Sequence, residues 1–179
     1  EDQGNRLFEL VGVDTQIALG KTGKLTAEYA HSRNVANTSG DSASGAAYRL
    51  NWQSQLTKYL ATQAYFRRAD AGFANNATLS FVPGQMRYGL SLTGQVAQNT
   101  KIVFQADHED NFGVAPQILS DLDLLLRPGS QPVPGTKQDN SLTSISAGVE
   151  QKWGDATLGL NLIHRDRIDR MTSPDTINR

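Results

Sequence analysis

Apolar and polar residues alternate along most of this chain with a period of two. That is the spacing of a β-strand with one apolar face. In the first such run Val11, Val13, Thr15, Ile17 and Leu19 fall on one side and Gly12, Asp14 and Gln16 on the other. The cleanest run sets Met86, Tyr88, Leu90, Leu92 and Val96 against Arg87, Gly89, Ser91, Thr93 and Gln95. Read in this way the chain predicts eight strands, at residues 7–19, 24–33, 45–55, 58–68, 85–96, 101–110, 141–153 and 156–166. Tight turns separate them at Gly20-Lys21-Thr22-Gly23, near Leu56 to Lys58, at Gln98-Asn99-Thr100 and at Gly154-Asp155. Gly-Asp is a two-residue hairpin signal. Long loops are expected at 34–44, 69–84 and 111–140, and a short helix could form within Ala115 to Leu126 after Pro116.

Alternation alone fits a soluble β-sandwich or a lipocalin-like binding module, because either has one apolar sheet face. Three features favour a membrane wall. The connections run short, long, short, long in strict order, as in outer-membrane barrels, whereas Greek-key crossovers break that order in sandwiches. The strands approach the length needed to cross hydrocarbon, about nine to eleven residues, and exceed the five or six usual in soluble sheets. The rings also fall near the strand ends. With the long loops taken as the outer side, His31, His108 and His164 lie on the apolar face far from the short turns, with Tyr48, Phe66 and Tyr88 close to the same level. Trp153 lies at the opposite rim. Amphipathic rings at two levels are expected where a wall meets two membrane interfaces.

The fold expected is therefore all-β: an antiparallel up-and-down transmembrane β-barrel wall of about eight strands, belonging to a larger barrel. The polar face would line its lumen with Asp14, Glu28, Arg49, Arg67, Arg87, Asp107, Glu109, Glu150, Lys152 and Arg165. Those charges are mixed in sign. This predicts weak ion selectivity, or pairing across neighbouring strands.

Composition agrees with this picture and narrows it. The 179 residues carry 17 basic and 18 acidic side chains, so no basic stripe points to nucleic acid. Mean hydropathy is −0.44, low as an alternating barrel wall requires. No apolar run is long enough for a spanning helix. There is no cysteine, hence neither a disulfide nor thiolate chemistry.

Over essentially its whole length the chain resembles Gram-negative outer-membrane β-barrel proteins as a general class. Lys24-Leu25-Thr26-Ala27-Glu28-Tyr29 and Lys101-Ile102-Val103-Phe104-Gln105-Ala106-Asp107 look like barrel strands that leave a periplasmic turn. Tyr65-Phe66-Arg67-Arg68-Ala69-Asp70-Ala71-Gly72-Phe73 is similar to strand-to-loop segments in the barrels of large bacterial surface proteins. The resemblance implies residence in the bacterial outer membrane. The expected contacts are outer-membrane lipid and further barrel strands, from the same protein or from other envelope subunits. The function expected is a pore or transport channel, or the membrane anchor of a larger surface protein.

The first strand descends from the long-loop side and the last returns to it, so both chain ends are expected outside. Complete bacterial barrels keep both ends on the periplasmic side and commonly finish in an aromatic residue, whereas this chain reads Ser173-Pro174-Asp175-Thr176-Ile177-Asn178-Arg179. The expectation is an excerpt of a larger barrel, read without a signal peptide. A fragment cut in two external loops, and an eight-stranded barrel closing on itself, are the alternatives.

No enzymatic constellation is expected. A hydrolase needs a base beside a nucleophile, or two converging acids. His108 is adjacent in sequence to Asp107 and Glu109 but faces away from both on a strand, and the same parity separates His164 from Arg165. Asp121 and Asp123, or Asp107, Glu109 and Asp110, offer oxygen ligands but not the spacing of an EF-hand. No metal site and no cofactor is therefore expected.

Overall fold

A computed structural model describes residues 6–36, 42–73, 82–116 and 134–171. Eight strands form one antiparallel sheet in which each strand pairs with its sequence neighbour: β1 (Arg6–Leu19), β2 (Gly23–Ala36), β3 (Ser42–Thr57), β4 (Leu60–Ala69), β5 (Gln85–Ala97), β6 (Thr100–Pro116), β7 (Pro134–Trp153) and β8 (Ala156–Asp169). No pairing joins β1 to β8 among the described residues, so the sheet has two open edges.

All the strands but β4 are longer than the alternation predicted, reaching 17 residues in β6 and 20 in β7. These two run into the region expected to be the longest loop and stay paired as far as Pro116 and Pro134. Ala115 and Pro116 belong to β6, and the rest of the segment expected to hold a short helix lies outside the described residues.

The register keeps every apolar run on one face. Val13, Tyr29 and Tyr48 pair in succession across β1, β2 and β3, and Leu92, Phe104, Ala147 and Leu162 across β5 to β8. A slip of one residue in any pair would turn a whole strand over.

The short turns follow a repeated rule. Gly23 at the head of β2 pairs with Ser54, three residues before the end of β3 at Thr57, and one of the three is the bulged Leu56. Leu60 pairs with Gly94, three residues before Ala97, again with a bulge at Val96. Thr100 pairs with Gln151, two residues before Trp153. Each hairpin is thus displaced from the last by two paired residues in the same direction. Backbone bonds fix the steps: Gln55 N–H donates to Thr22 O, Gln95 N–H to Tyr59 O and Lys152 N–H to Asn99 O, at 3.2, 2.8 and 2.8 Å. Two residues of ~3.3 Å rise over two strand spacings of ~4.8 Å correspond to a strand tilt of about 35°. Barrel strands are tilted by about 35–45°.

The two faces are unequally exposed, and the inequality is the reverse of a soluble sheet. Across β2 to β7 most polar-face side chains are half-buried, including Glu28, Arg49, Asn51, Tyr65, Arg67, Asp107 and Glu109. Tyr29, Tyr48, Leu50, Tyr88, Ile102, Phe104, Ile145 and Val149 on the apolar face are exposed. A groove on the polar side is lined by Ala61, Thr93, Lys101, Glu150 and Thr157. The sheet therefore curls around its polar face. Among the described residues buried apolar side chains are few. Ala47, Ala69 and Phe73 make one small cluster, with Ala30 against it, on the polar face near the long-loop rim.

Phe73 reaches that cluster because the chain beyond β4 folds back. Asp70 N–H donates to Ala46 O, and its carboxylate accepts the Ala46 N–H at 3.1 Å, which extends the β3–β4 ladder past its end. Gly84 N–H donates to Ala69 O and Phe112 N–H to Gly84 O, clasping β4, β5 and β6 together. Gly84 has φ +70°, and a side chain there would strike the Phe112 carbonyl. Gly154 in the last short turn also has positive φ, +58°, but open space around it. Gly84→Ala should therefore cost clearly more stability than Gly154→Ala, which bears only the left-handed penalty of about 1–2 kcal/mol. Urea unfolding of the folded chain in detergent checks this. Equal losses would show that the clasp does not bear on stability.

Candidate functional site

The polar face carries the chemistry, and the register turns scattered charges into rows. Asp14, Glu28, Arg49, Arg67, Arg87 and Glu109 are consecutive cross-strand partners on β1 to β6. Two acids, three arginines and one acid thus form a single oblique ladder. It climbs from mid-strand on β1 toward the long-loop end on β6. Alternation along each strand put these residues on one face. Only the register aligns them.

Pairing within the ladder is uneven. Arg49 meets Glu28 at 3.5 Å and Arg87 meets Glu109 at 3.2 Å. Arg67, between the two arginines, makes no ion pair or hydrogen bond with the described residues. Its guanidinium carbon sits 5.5 Å from the Tyr65 ring centre. The Nε atoms of Arg49 and Arg67 are both removed from solvent without a hydrogen-bond partner. Like charges directly opposite on neighbouring strands disfavour folding, so three adjacent arginines are not explained by sheet stability.

The neighbouring row runs Gln16, Thr26, Asn51, Tyr65, Gly89, Asp107, Ser144 and Arg165. Here Tyr65 O–H reaches across β5 and donates to Asp107 Oδ1 at 2.5 Å, while Gln105 Nε2 donates to Asp107 Oδ2 at 2.6 Å. The bridge passes over Gly89, where an added Cβ would collide with the Asp107 carboxylate and meet the Tyr65 ring at 2.8 Å. Gly89 is thus the opening that lets two strands on either side of β5 touch. Nearer the short turns, Glu150 pairs with Lys101 at 3.5 Å, and Lys152 stands opposite Thr157.

On the apolar face Phe66, Tyr88 and His108 are consecutive partners, and the Tyr88 and His108 rings lie 5.1 Å apart. Tyr48 falls one row further out, 5.2 Å from Tyr29, and His31 pairs with Ala46. His164 pairs with Ile145, and Trp153 stands exposed at the short-turn rim. Sequence parity correctly separates His108 from Asp107 and Glu109, but it passes over Asp110, two residues on and on the same face. His108 Nε2 lies 3.1 Å from Asp110 Oδ2, and Nδ1 lies 2.8 Å from Thr143 Oγ1. Asp110 also meets Arg170 at 3.3 Å, and Arg170 meets Asp139 at 3.0 Å. Hydrogen bonds to Asp139 and then Asp110 hold the Arg170 guanidinium pKa above its usual value. A charged rim therefore caps the ring-bearing level. Asp110 lies within the predicted sixth strand, but Asp139 and Arg170 lie two and four residues beyond the predicted ends of the seventh and eighth, so the pattern reached only the first of them. The Phe73 cluster had no such signal.

Among the described residues no group of three His, Cys, Asp or Glu side chains is arranged to hold a metal. Asp121 and Asp123 lie outside the described residues. Thr143 Oγ1, the His108 ring and the Asp110 carboxylate stand in line on the apolar face, and the contacts above bring no two acids together. Comparison with protein-family models, with curated proteins and with solved structures finds no match to this chain.

The Tyr65–Asp107 bridge is open to a direct test. A double-mutant cycle of Tyr65→Phe and Asp107→Ala should give a coupling of about 1 kcal/mol, the size of a half-exposed hydrogen bond to a carboxylate. Gly89→Ala alone should remove most of that coupling. Additive losses would mean that the bridge does not contribute.

Proposed function

We propose that this chain forms part of the wall of a bacterial outer-membrane β-barrel, with its apolar face against lipid and its polar face lining a hydrated interior that passes small solutes. The observation that carries the reading is the inverted exposure of the two faces. Exposed Leu, Ile, Val, Phe and Tyr side chains form a continuous band on one face, while Glu28, Arg49, Arg67, Asp107 and Glu109 are half-buried on the other. A soluble sheet would need a covering layer over that band, because exposed apolar patches of this extent drive association. Lipid supplies such a layer without any further protein.

Dimensions support the same reading. On β5 the apolar face extends from Met86 to Val96. Ten steps of ~3.3 Å inclined at ~35° span about 27 Å, close to the ~25 Å apolar band of outer-membrane barrels. Tyr88 and His108 would then sit at one interface, with Arg68, Asp110, Asp139 and Arg170 beyond it, and Trp153 at the other.

The open edges of β1 and β8 bear on partners. Unpaired backbone N–H and C=O groups cost several kcal/mol each in hydrocarbon, so a spanning sheet leaves no edge. In this reading further strands of the same protein, or of other envelope subunits, close the barrel. An anchor for surface domains, without an open pore, is the same wall put to another use. The polar grooves and the charged ladder favour the pore.

Heat-modifiable migration of the full-length protein on detergent gels and single-channel steps in planar bilayers are the expected behaviours. Ready solubility without detergent would contradict the wall, and a silent bilayer would contradict the pore. Within the wall, Leu90→Arg or Leu160→Arg should cost about 2–4 kcal/mol near the midplane, and Ser91→Arg or Asn161→Arg much less. Folding titrations into lipid vesicles measure the difference. Equal tolerance on the two faces would remove the case for lipid contact.

A further inference from the structure

The three arginines at the centre of the ladder break a local rule. Arg49 opposes Arg67 and Arg67 opposes Arg87, directly, on three neighbouring strands. Glu28 and Glu109 take up the outer two. Among the described residues the middle one has no carboxylate partner, and its Nε is withdrawn from water with nothing to donate to. The Tyr65 ring stands beside the guanidinium and steadies it through a cation–π contact, while the Tyr65 hydroxyl is committed to Asp107. An arginine fixed in this way presents a planar fork of N–H donors, which matches the paired oxygens of a carboxylate or phosphate. The arginines on either side raise the local positive potential, and the acids beyond them confine it to one strip.

We propose that Arg67, supported by Arg49 and Arg87, is an anion-binding station on the polar face, selecting small solutes that carry phosphate or carboxylate groups. This deepens the pore reading and rests on it for its biological meaning, since it makes the strip the selecting element of the passage. The net charge of −1 over the whole chain gives no hint of it. The preference arises from where the positive charges are gathered, not from their number.

Two measurements on the full-length protein separate the station from the pore. The first is calorimetric titration of the detergent-folded protein with inorganic pyrophosphate. Wild type should bind saturably, Arg67→Gln should weaken binding by about tenfold or more, and Arg67→Lys should fall between, because it keeps the charge but loses the fork. Lys21→Gln makes the same charge change in the exposed first short turn and should leave binding unaltered. Since Arg67→Gln relieves repulsion between like charges, it should fold at least as well as wild type, and Arg67→Lys provides a second folded comparison. The second measurement is pyrophosphate block of single-channel current. Block that Arg67→Gln relieves supports both readings. Conducting channels, with no pyrophosphate binding or with binding indifferent to Arg67, overturn the station and leave the pore. Saturable, Arg67-dependent binding without any conductance upholds the station and overturns the pore.

Discussion

Backbone pairing between neighbouring strands holds this sheet together, because among the described residues its apolar side chains have no second layer to pack against. The described residues offer one small buried cluster around Phe73. In a soluble domain the hydrophobic contribution would come from a core between layers. Here it has to come from whatever covers the outer face, and the ladder bonds must persist wherever that face is bathed in hydrocarbon. The rest of the architecture follows from this demand. Strands are long and contiguous in sequence, short turns are bonded to the strand that follows, and each hairpin advances by two paired residues in the same direction.

That constant stagger links local chemistry to the shape of the whole. The bulges at Leu56 and Val96 each absorb one residue at the foot of a strand and leave the net displacement equal at every step. A uniform displacement inclines all eight strands alike, which a curling sheet needs. The same inclination makes the cross-strand rows oblique, so a ladder that starts at mid-strand on β1 comes within two residues of the long-loop ends of β4 and β5. Charges at different heights on the polar face are thereby direct neighbours. The acid–arginine–acid order of the ladder is a property of this geometry as much as of composition.

The eight strands and the facing of their side chains were legible in the sequence, because a period of two is a strictly local signal and one slip would expose every apolar residue of a strand. The tight turns were legible too, from their Gly, Asn and Asp. Strand ends were harder to read. β6 and β7 continue to Pro116 and Pro134 through residues whose alternation is weak, held by pairing with each other rather than by pattern. The polar residues could be assigned to a face but not to a row. Whether Arg67 stands opposite Arg87 or Gly89 depends on the stagger, which is a sum of turn lengths and bulges that no single segment encodes. Phe73 was invisible because it acts through a fold-back of the chain, made possible by Gly45 and Gly72, where the close approach of two backbones leaves no room for a side chain.

The central claim concerns which face meets lipid, and the absence of cysteine from the sequence makes it directly measurable. Single cysteines introduced along β5 from Arg87 to Thr93, each carrying an environment-sensitive fluorophore, can be tested in reconstituted vesicles against brominated lipid and against aqueous iodide. The account predicts strong lipid quenching at positions 88, 90 and 92 and strong iodide quenching at positions 87, 91 and 93, a period of two with opposite phase for the two quenchers. Lipid quenching that is absent throughout, or that does not alternate, would contradict it.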